Sequence, residues 1–131
     1  MTNTFILDLL PELYSVYRYP PDASIPFGPQ DRAGLWAFVW TDEELSVVCA
    51  DRAPGATHEE AGWRALKVRG PLDFSQVGIL ASIAAPLAGA GVSIFTISTF
   101  DTDYILIKED CLELALAALE IAGHQVFQGD P

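Results

Sequence analysis

LDFSQVGILASIAAPLAGAGVSIFTISTFDTDYILIK, residues 72–108, decides the fold. It reads as a turn, a helix, a glycine turn and a two-stranded hairpin. Val77, Leu80, Ile83, Ala84, Leu87 and Ala88 recur at helical spacing, so one face of the first segment is apolar. Ser75 stands in the N-cap position, and Gly89 or Gly91 supplies the C-terminal stop. Pro86 lies inside this helix. It brings no N–H to the carbonyl of Ser82 and crowds it, which predicts a kink or a tightened last turn. Val92–Ser98 and Tyr104–Lys108 are strand-like and separated only by Thr99–Asp103, which predicts an antiparallel hairpin. The loops Leu72–Gly78 and Ser98–Asp103 carry almost all the polar groups that can meet a ligand.

Outward from this stretch the pattern completes itself. Trp63–Gly70 reads as a strand, with Leu66 and Val68 on one face and Ala65, Lys67 and Arg69 on the other. Downstream, Asp110 with Glu113 forms a capping box for a helix whose stripe is Leu112, Ala115, Leu116, Leu119 and Ala122. Gly123 ends it, and His124–Phe127 is a last strand, with His124 read as a surface residue. The second half is therefore βαββαβ. Right-handed crossovers place both helices on one face of an antiparallel sheet of strand order 4-1-3-2, the ferredoxin-like arrangement. The other face needs a cover, from the first half or from a second subunit.

In the first half, Phe5, Leu7 and Leu9 alternate with Ile6, Asp8 and Leu10 up to Pro11, and Tyr14–Tyr19 is β-rich. Residues 20–34 hold four prolines and two glycines and read as an ordered loop. Leu35–Trp40 and Leu45–Ala50 are strand candidates around a single turn at Thr41–Glu44. Asp51–Gly62 is polar and is the best internal boundary. The expectation is an α+β protein of two packed ferredoxin-like units, a divergent one at 1–61 and a regular one at 62–131.

Half of the 131 residues are hydrophobic, enough for a real core. The net charge of -11 repels phosphate backbones and anionic headgroups, which argues against nucleic acid and membrane surfaces as partners. Cys49 and Cys111 form no C-x-x-C pair and read as buried thiols of a reducing compartment. The N-terminus lacks a basic n-region, and the most apolar window, Ile79–Phe95, is too short to span a bilayer. A soluble, cytoplasmic protein is expected.

Three runs, LDFSQVGIL (72–80), APLAGAGVSIF (85–95) and ISTFDTDYILIKED (97–110), resemble the ACT domain, a small ligand-binding regulatory module. They are most similar to the bacterial subgroup related to the cytosolic arginine sensors, whose tandem ACT-like units the first half fits more loosely. The resemblance implies an amino acid bound at an interface between ACT units, without catalysis, cofactor or metal. The implied ligand residues are Asp73, Phe74, Ser75, Gln76, Val77 and Gly78 of the first loop and Ser98, Thr99, Phe100 and Asp103 of the hairpin. Free N–H groups at a helix start suit a carboxylate, Gly78 allows close approach, and Asp103 or Asp101 can hold an ammonium group. The arginine sensors carry an acid where this chain has neutral Gln76, so the resemblance does not fix arginine as the ligand. It further implies a homodimer, using a sheet face or the edge strand at Val92–Thr99, and a separate regulated protein.

The residues themselves leave other readings open. Asp101 and Asp103 are two apart in a loop, where such side chains also serve as turn formers or as an acid–base or metal pair. His58 and His124 belong to no cluster at metal-ligand spacing, and no Ser-His-Asp, Cys-His or phosphate-loop motif is present. Beside the amino-acid-binding regulator stand a structural or dimerisation module without a ligand and, third, a small enzyme using the two aspartates.

Overall fold

The computed structural model describes residues 4–24, 34–50, 52–70 and 78–128. In chain order these form β1 (Ile6–Leu9), β2 (Tyr14–Tyr19), β3 (Ala37–Trp40), β4 (Leu45–Cys49), β5 (His58–Val68), α1 (Ile79–Gly89), β6 (Ile94–Ser98), β7 (Asp103–Lys108), a 3-10 turn (Glu109–Cys111), α2 (Leu112–Ile121) and β8 (Gln125–Gln128). The chain divides into two compact units. One is Glu12–Trp63; the other joins Met1–Pro11 to Arg64–Pro131. The first eleven residues, grouped by sequence with the 1–61 unit, thus belong with the second half.

That regrouping corrects the expected sheet. Instead of order 4-1-3-2, the second unit runs β6–β7–β5–β1–β8, with β1 inserted between β5 and β8. β1 pairs antiparallel with β5 (Leu7 opposite Val68, Leu9 opposite Leu66) and parallel with β8 (Leu7 opposite Val126). Alternation decided which face of β1 is buried, but alternation carries no information about neighbours. Leu7 and Leu9 join Leu66, Val68, Ile105 and Ile107 on one sheet face, and Ile79, Ile83 and Leu87 of α1 with Ala115 and Leu119 of α2 close over them. Leu106 is buried on the opposite face.

On that opposite face Asp8 ties three strand ends together. Arg69 donates Nη2–H and Nε–H to its two carboxylate oxygens at 2.6 and 3.1 Å, and the guanidinium lies 4.9 Å over the Phe127 ring. The hydrogen bonds from Arg69 hold the Asp8 carboxyl below the usual aspartate range, outweighing the opposing effect of burial. A folded-state value below the unfolded one means this contribution is present above the unfolded value of about 3.9 and is lost as pH falls through the folded value. Asp8→Asn is therefore expected to flatten the fall of the unfolding midpoint below about pH 4, measured by thermal unfolding from pH 7 to 2.5. An unchanged acid limb would show that the pair contributes nothing.

α1 begins at Gly78, which is left-handed at φ 85°, and Ser75 lies outside the described residues. The helix stops at Gly91 (φ 77°), whose N–H reaches Ala88 O at 3.0 Å while Val92 N–H reaches Leu87 O at 2.9 Å. Ile79 joins the buried stripe and Ala88 is exposed, a small rotation from the predicted face. Pro86 stays inside the helix, and the Ser82 carbonyl it leaves without a backbone donor accepts from His124 Nε2 at 2.9 Å. His124 Nδ1 accepts the Phe5 N–H at 3.0 Å, and the ring stacks on Phe5 at 6.0 Å. His124 is thus 3% exposed, not a surface residue. The expected Asp110 cap is absent too: the 3-10 turn takes up Asp110, and α2 starts from Cys111 with no side-chain cap. Gly123 ends α2 as expected, at φ 99°.

In the unit Glu12–Trp63 the order is β3–β4–β2–β5, all antiparallel. Thr41 closes the β3–β4 turn, its Oγ1 accepting the N–H groups of Glu43 and Glu44, both at 3.1 Å. Tyr17, Tyr19, Leu45, Val47 and Cys49 form the core, with Ala53 from the following loop and Trp36 and Phe38 packed beside them. No helix is present among this unit's described residues. The polar run Asp51–Gly62, expected to be an internal boundary, already belongs to β5 from His58 onward. Gly62, at φ 86°, coincides with a bulge where Tyr14 and Val16 face Trp63 and Glu60, giving β5 one residue more than β2.

Candidate functional site

The β6–β7 hairpin builds the described half of the expected ligand site. Ser98 and Asp103 face each other in the ladder, and Ser98 Oγ donates to Asp103 Oδ1 at 2.6 Å. Thr99 and Thr102 close the turn: Thr99 N–H reaches Thr102 O at 2.8 Å, and Thr102 N–H reaches Thr99 Oγ1 at 3.2 Å. Thr102, 4% exposed, donates its hydroxyl to Val68 O at 2.5 Å. That bond fixes the hairpin tip against the end of β5, where the chain leaves toward Gly78. Phe100 is 79% exposed at the tip, Asp101 is exposed beside it, and Asp103 is half-buried.

Of the predicted residues, Ser98, Thr99, Phe100 and Asp103 come together at this tip, and Gly78 is exposed at the start of α1. Asp73, Phe74, Ser75, Gln76 and Val77 lie outside the described residues. The Ser98 bond orients the Asp103 carboxylate and leaves its second oxygen to accept from a cation. No three His, Cys, Asp or Glu side chains converge as metal ligands among the described residues. No described helix is long and apolar enough to cross a membrane. The free cysteines are Cys49, buried, and Cys111, half-buried. Sequence reasoning missed Thr102, the residue that positions the tip. Its only signal was a hydroxyl between two aspartates, which says nothing of a partner 34 residues away.

Helices on one face of a mixed sheet, with a polar hairpin tip held at the end of the first strand of the motif, define a class, and residues 59–120 match the family model of that class, the ACT domain. The chain carries an ACT domain, whose match runs from β5 into α2 and leaves out β1 and β8. Within it the chain is similar to the Homo sapiens cytosolic arginine sensor for mTORC1 subunit 1, 42% identical over 59 residues, which are 44% of this chain and 18% of that protein. The Rattus norvegicus counterpart is 39% identical over 70 residues, 53% of this chain and 21% of that protein. The chain thus matches about a fifth of the length of these relatives. Protein Atu0741 of Agobacterium tumefaciens has a crystal structure at TM-score 0.87 and 30% identity, covering 99% of this chain and 97% of that one. At that identity over nearly the full length, the two chains belong to one family. An aspartate kinase from Synechocystis shares the fold at TM-score 0.61 and 16% identity, over 98% of this chain and 28% of that one.

Proposed function

We propose that this protein is a non-catalytic regulator that binds an amino acid through its ACT domain. The observation that carries the reading is the hairpin tip, where Ser98 orients the Asp103 carboxylate and Thr102 pins the turn to Val68 at the end of β5. In this reading Asp103 holds the ligand's ammonium group. Phe100, Ser98 and Thr99 line one wall, and residues 73–78 offer N–H groups to its carboxylate. The ligand sits where ACT units meet, in the simplest case between two copies in a twofold dimer, with the edge of β6 that pairs no other described strand available for contact. The relatives' name, cytosolic arginine sensor, supports an amino-acid ligand, a separate regulated protein and a cytosolic setting. Gln76, neutral where those sensors carry an acid, widens the proposed ligand from arginine to amino acids as a class.

The test is thermal unfolding against each of the twenty amino acids at about millimolar concentration. A ligand at ~100 times its dissociation constant stabilises by ~2.7 kcal/mol, a shift of several degrees for a chain of this size. Asp103→Ala is expected to abolish that shift while its own ligand-free midpoint stays within ~2 °C of the parent. A shift that survives the substitution removes Asp103 from the site. No shift with any amino acid favours a structural or dimerisation module without a ligand.

A further inference from the structure

The loop between β4 and β5 borders an open cavity of about 550 Å³, lined by Tyr17 and the run from Arg52 to Glu59. It lies within the unit Glu12–Trp63, away from the hairpin tip in sequence and in unit. The loop is fixed by its own bonds. Tyr19 OH donates to Pro54 O at 2.8 Å, and Thr57 donates N–H and Oγ1–H to Arg18 O at 2.8 and 3.0 Å. Gly55 turns the chain at φ 84°, a conformation that costs other residues strain. Burial pushes the Tyr17 hydroxyl above its ordinary range, so that wall is uncharged.

The charges around the cavity are of both signs. Arg52 is exposed and has no hydrogen bond or ion pair among the described residues, in a chain of net charge -11 with only 7 basic residues. The N–H groups of Gly55 and Ala56 likewise have no protein partner among the described residues. Glu59 is held by Ser15, whose Oγ donates to Oε2 at 3.1 Å, which leaves Oε1 to accept from a ligand. A purely anionic solute would meet repulsion from Glu59, and a purely cationic one repulsion from Arg52. The volume lies in the range of about 300–1,000 Å³ usual for small-molecule sites.

We infer that this cavity is a binding site for a small zwitterion, its carboxylate held by Arg52 with the Gly55 and Ala56 N–H groups and its ammonium by Glu59. The site is independent of the ACT-domain reading. The experiment is an amide NMR titration of the full chain with glycine, with acetate and methylammonium run in parallel. Glycine is expected to give saturable shifts at residues 53–59 below about 100 mM, with acetate and methylammonium binding more weakly. Arg52→Ala and Glu59→Gln are each expected to weaken glycine about fivefold or more, as loss of an exposed charge-assisted bond would. Shifts that fail to saturate, that map only to residues 98–103, or that ignore both substitutions overturn the proposal, as does acetate binding as tightly as glycine. Shifts at 98–103 alone would speak for the ACT-domain site, so the two readings fail separately.

Discussion

A chain cut to residues 62–131 is expected to lose cooperative unfolding, although it holds the whole βαββαβ pattern. The missing part is β1. Leu7 and Leu9 are buried in the core beneath α1 and α2, and each contributes about 1.5–3 kcal/mol by burial, roughly 3–6 together. A domain's total stability is only about 5–15 kcal/mol. Main-chain bonds vanish with the strand as well: Leu10 N–H to Ala65 O at 2.9 Å, Arg69 N–H to Ile6 O at 2.8 Å and Gln125 N–H to Phe5 O at 3.1 Å. β8 pairs with β1 alone among the described strands, so it loses its ladder entirely. To close onto β5 directly, β8 would have to shift by about one strand spacing, ~4.8 Å, and drag α2 across the core. Circular dichroism with urea unfolding of the fragment against the full chain decides the matter. A sharp transition within ~1 kcal/mol of the parent would mean that the four-strand order closes without β1. A synthetic peptide of residues 1–12, added in trans, is expected to restore the transition.

The fold was legible where it depends on local pattern and illegible where it depends on pairing. The stripe Ile83–Leu87, the stop at Gly91, the β6–β7 hairpin and the turn at Thr41 all follow from residues within one or two turns of each other. β1 was visible as a strand through Phe5, Leu7 and Leu9, but its place between β5 and β8 joins residues more than a hundred positions apart. Gly62 marked a boundary in composition, yet its positive φ serves a bulge within one continuous strand. At the candidate site, the grouping of polar residues at the hairpin tip was readable from ISTFDTDY because a tight turn keeps them together. Thr102 was not, because its role lies in a carbonyl on another strand. His124 followed a helix-ending glycine, where an exposed strand start is the ordinary expectation; only Pro86, 38 residues earlier, created the vacancy that buries it.

His124→Ala is accordingly expected to destabilise the protein by roughly 2–6 kcal/mol at most, since it leaves two half-buried polar groups unpaired at up to about 1–3 kcal/mol each. One is the Phe5 N–H, which now donates to Nδ1; the other is the Ser82 carbonyl, which receives the Nε2 proton. Because Nδ1 accepts the Phe5 N–H, Nε2 is the ring nitrogen that donates to Ser82 O. His124→Phe keeps the volume and the stacking on Phe5 but removes both bonds, so its cost isolates the hydrogen bonds from the packing. The decisive variant lies elsewhere. Pro86→Ala supplies a backbone N–H that can reach Ser82 O along the helix, so it is expected to return about 1 kcal/mol in the His124→Ala background and less in the parent. Urea unfolding of the four proteins gives the coupling directly. Additivity within ~0.5 kcal/mol would show that the proline and the histidine act separately. A clear positive coupling would show that this helix keeps an interior proline because a histidine from the far end of the chain takes the place of the missing N–H.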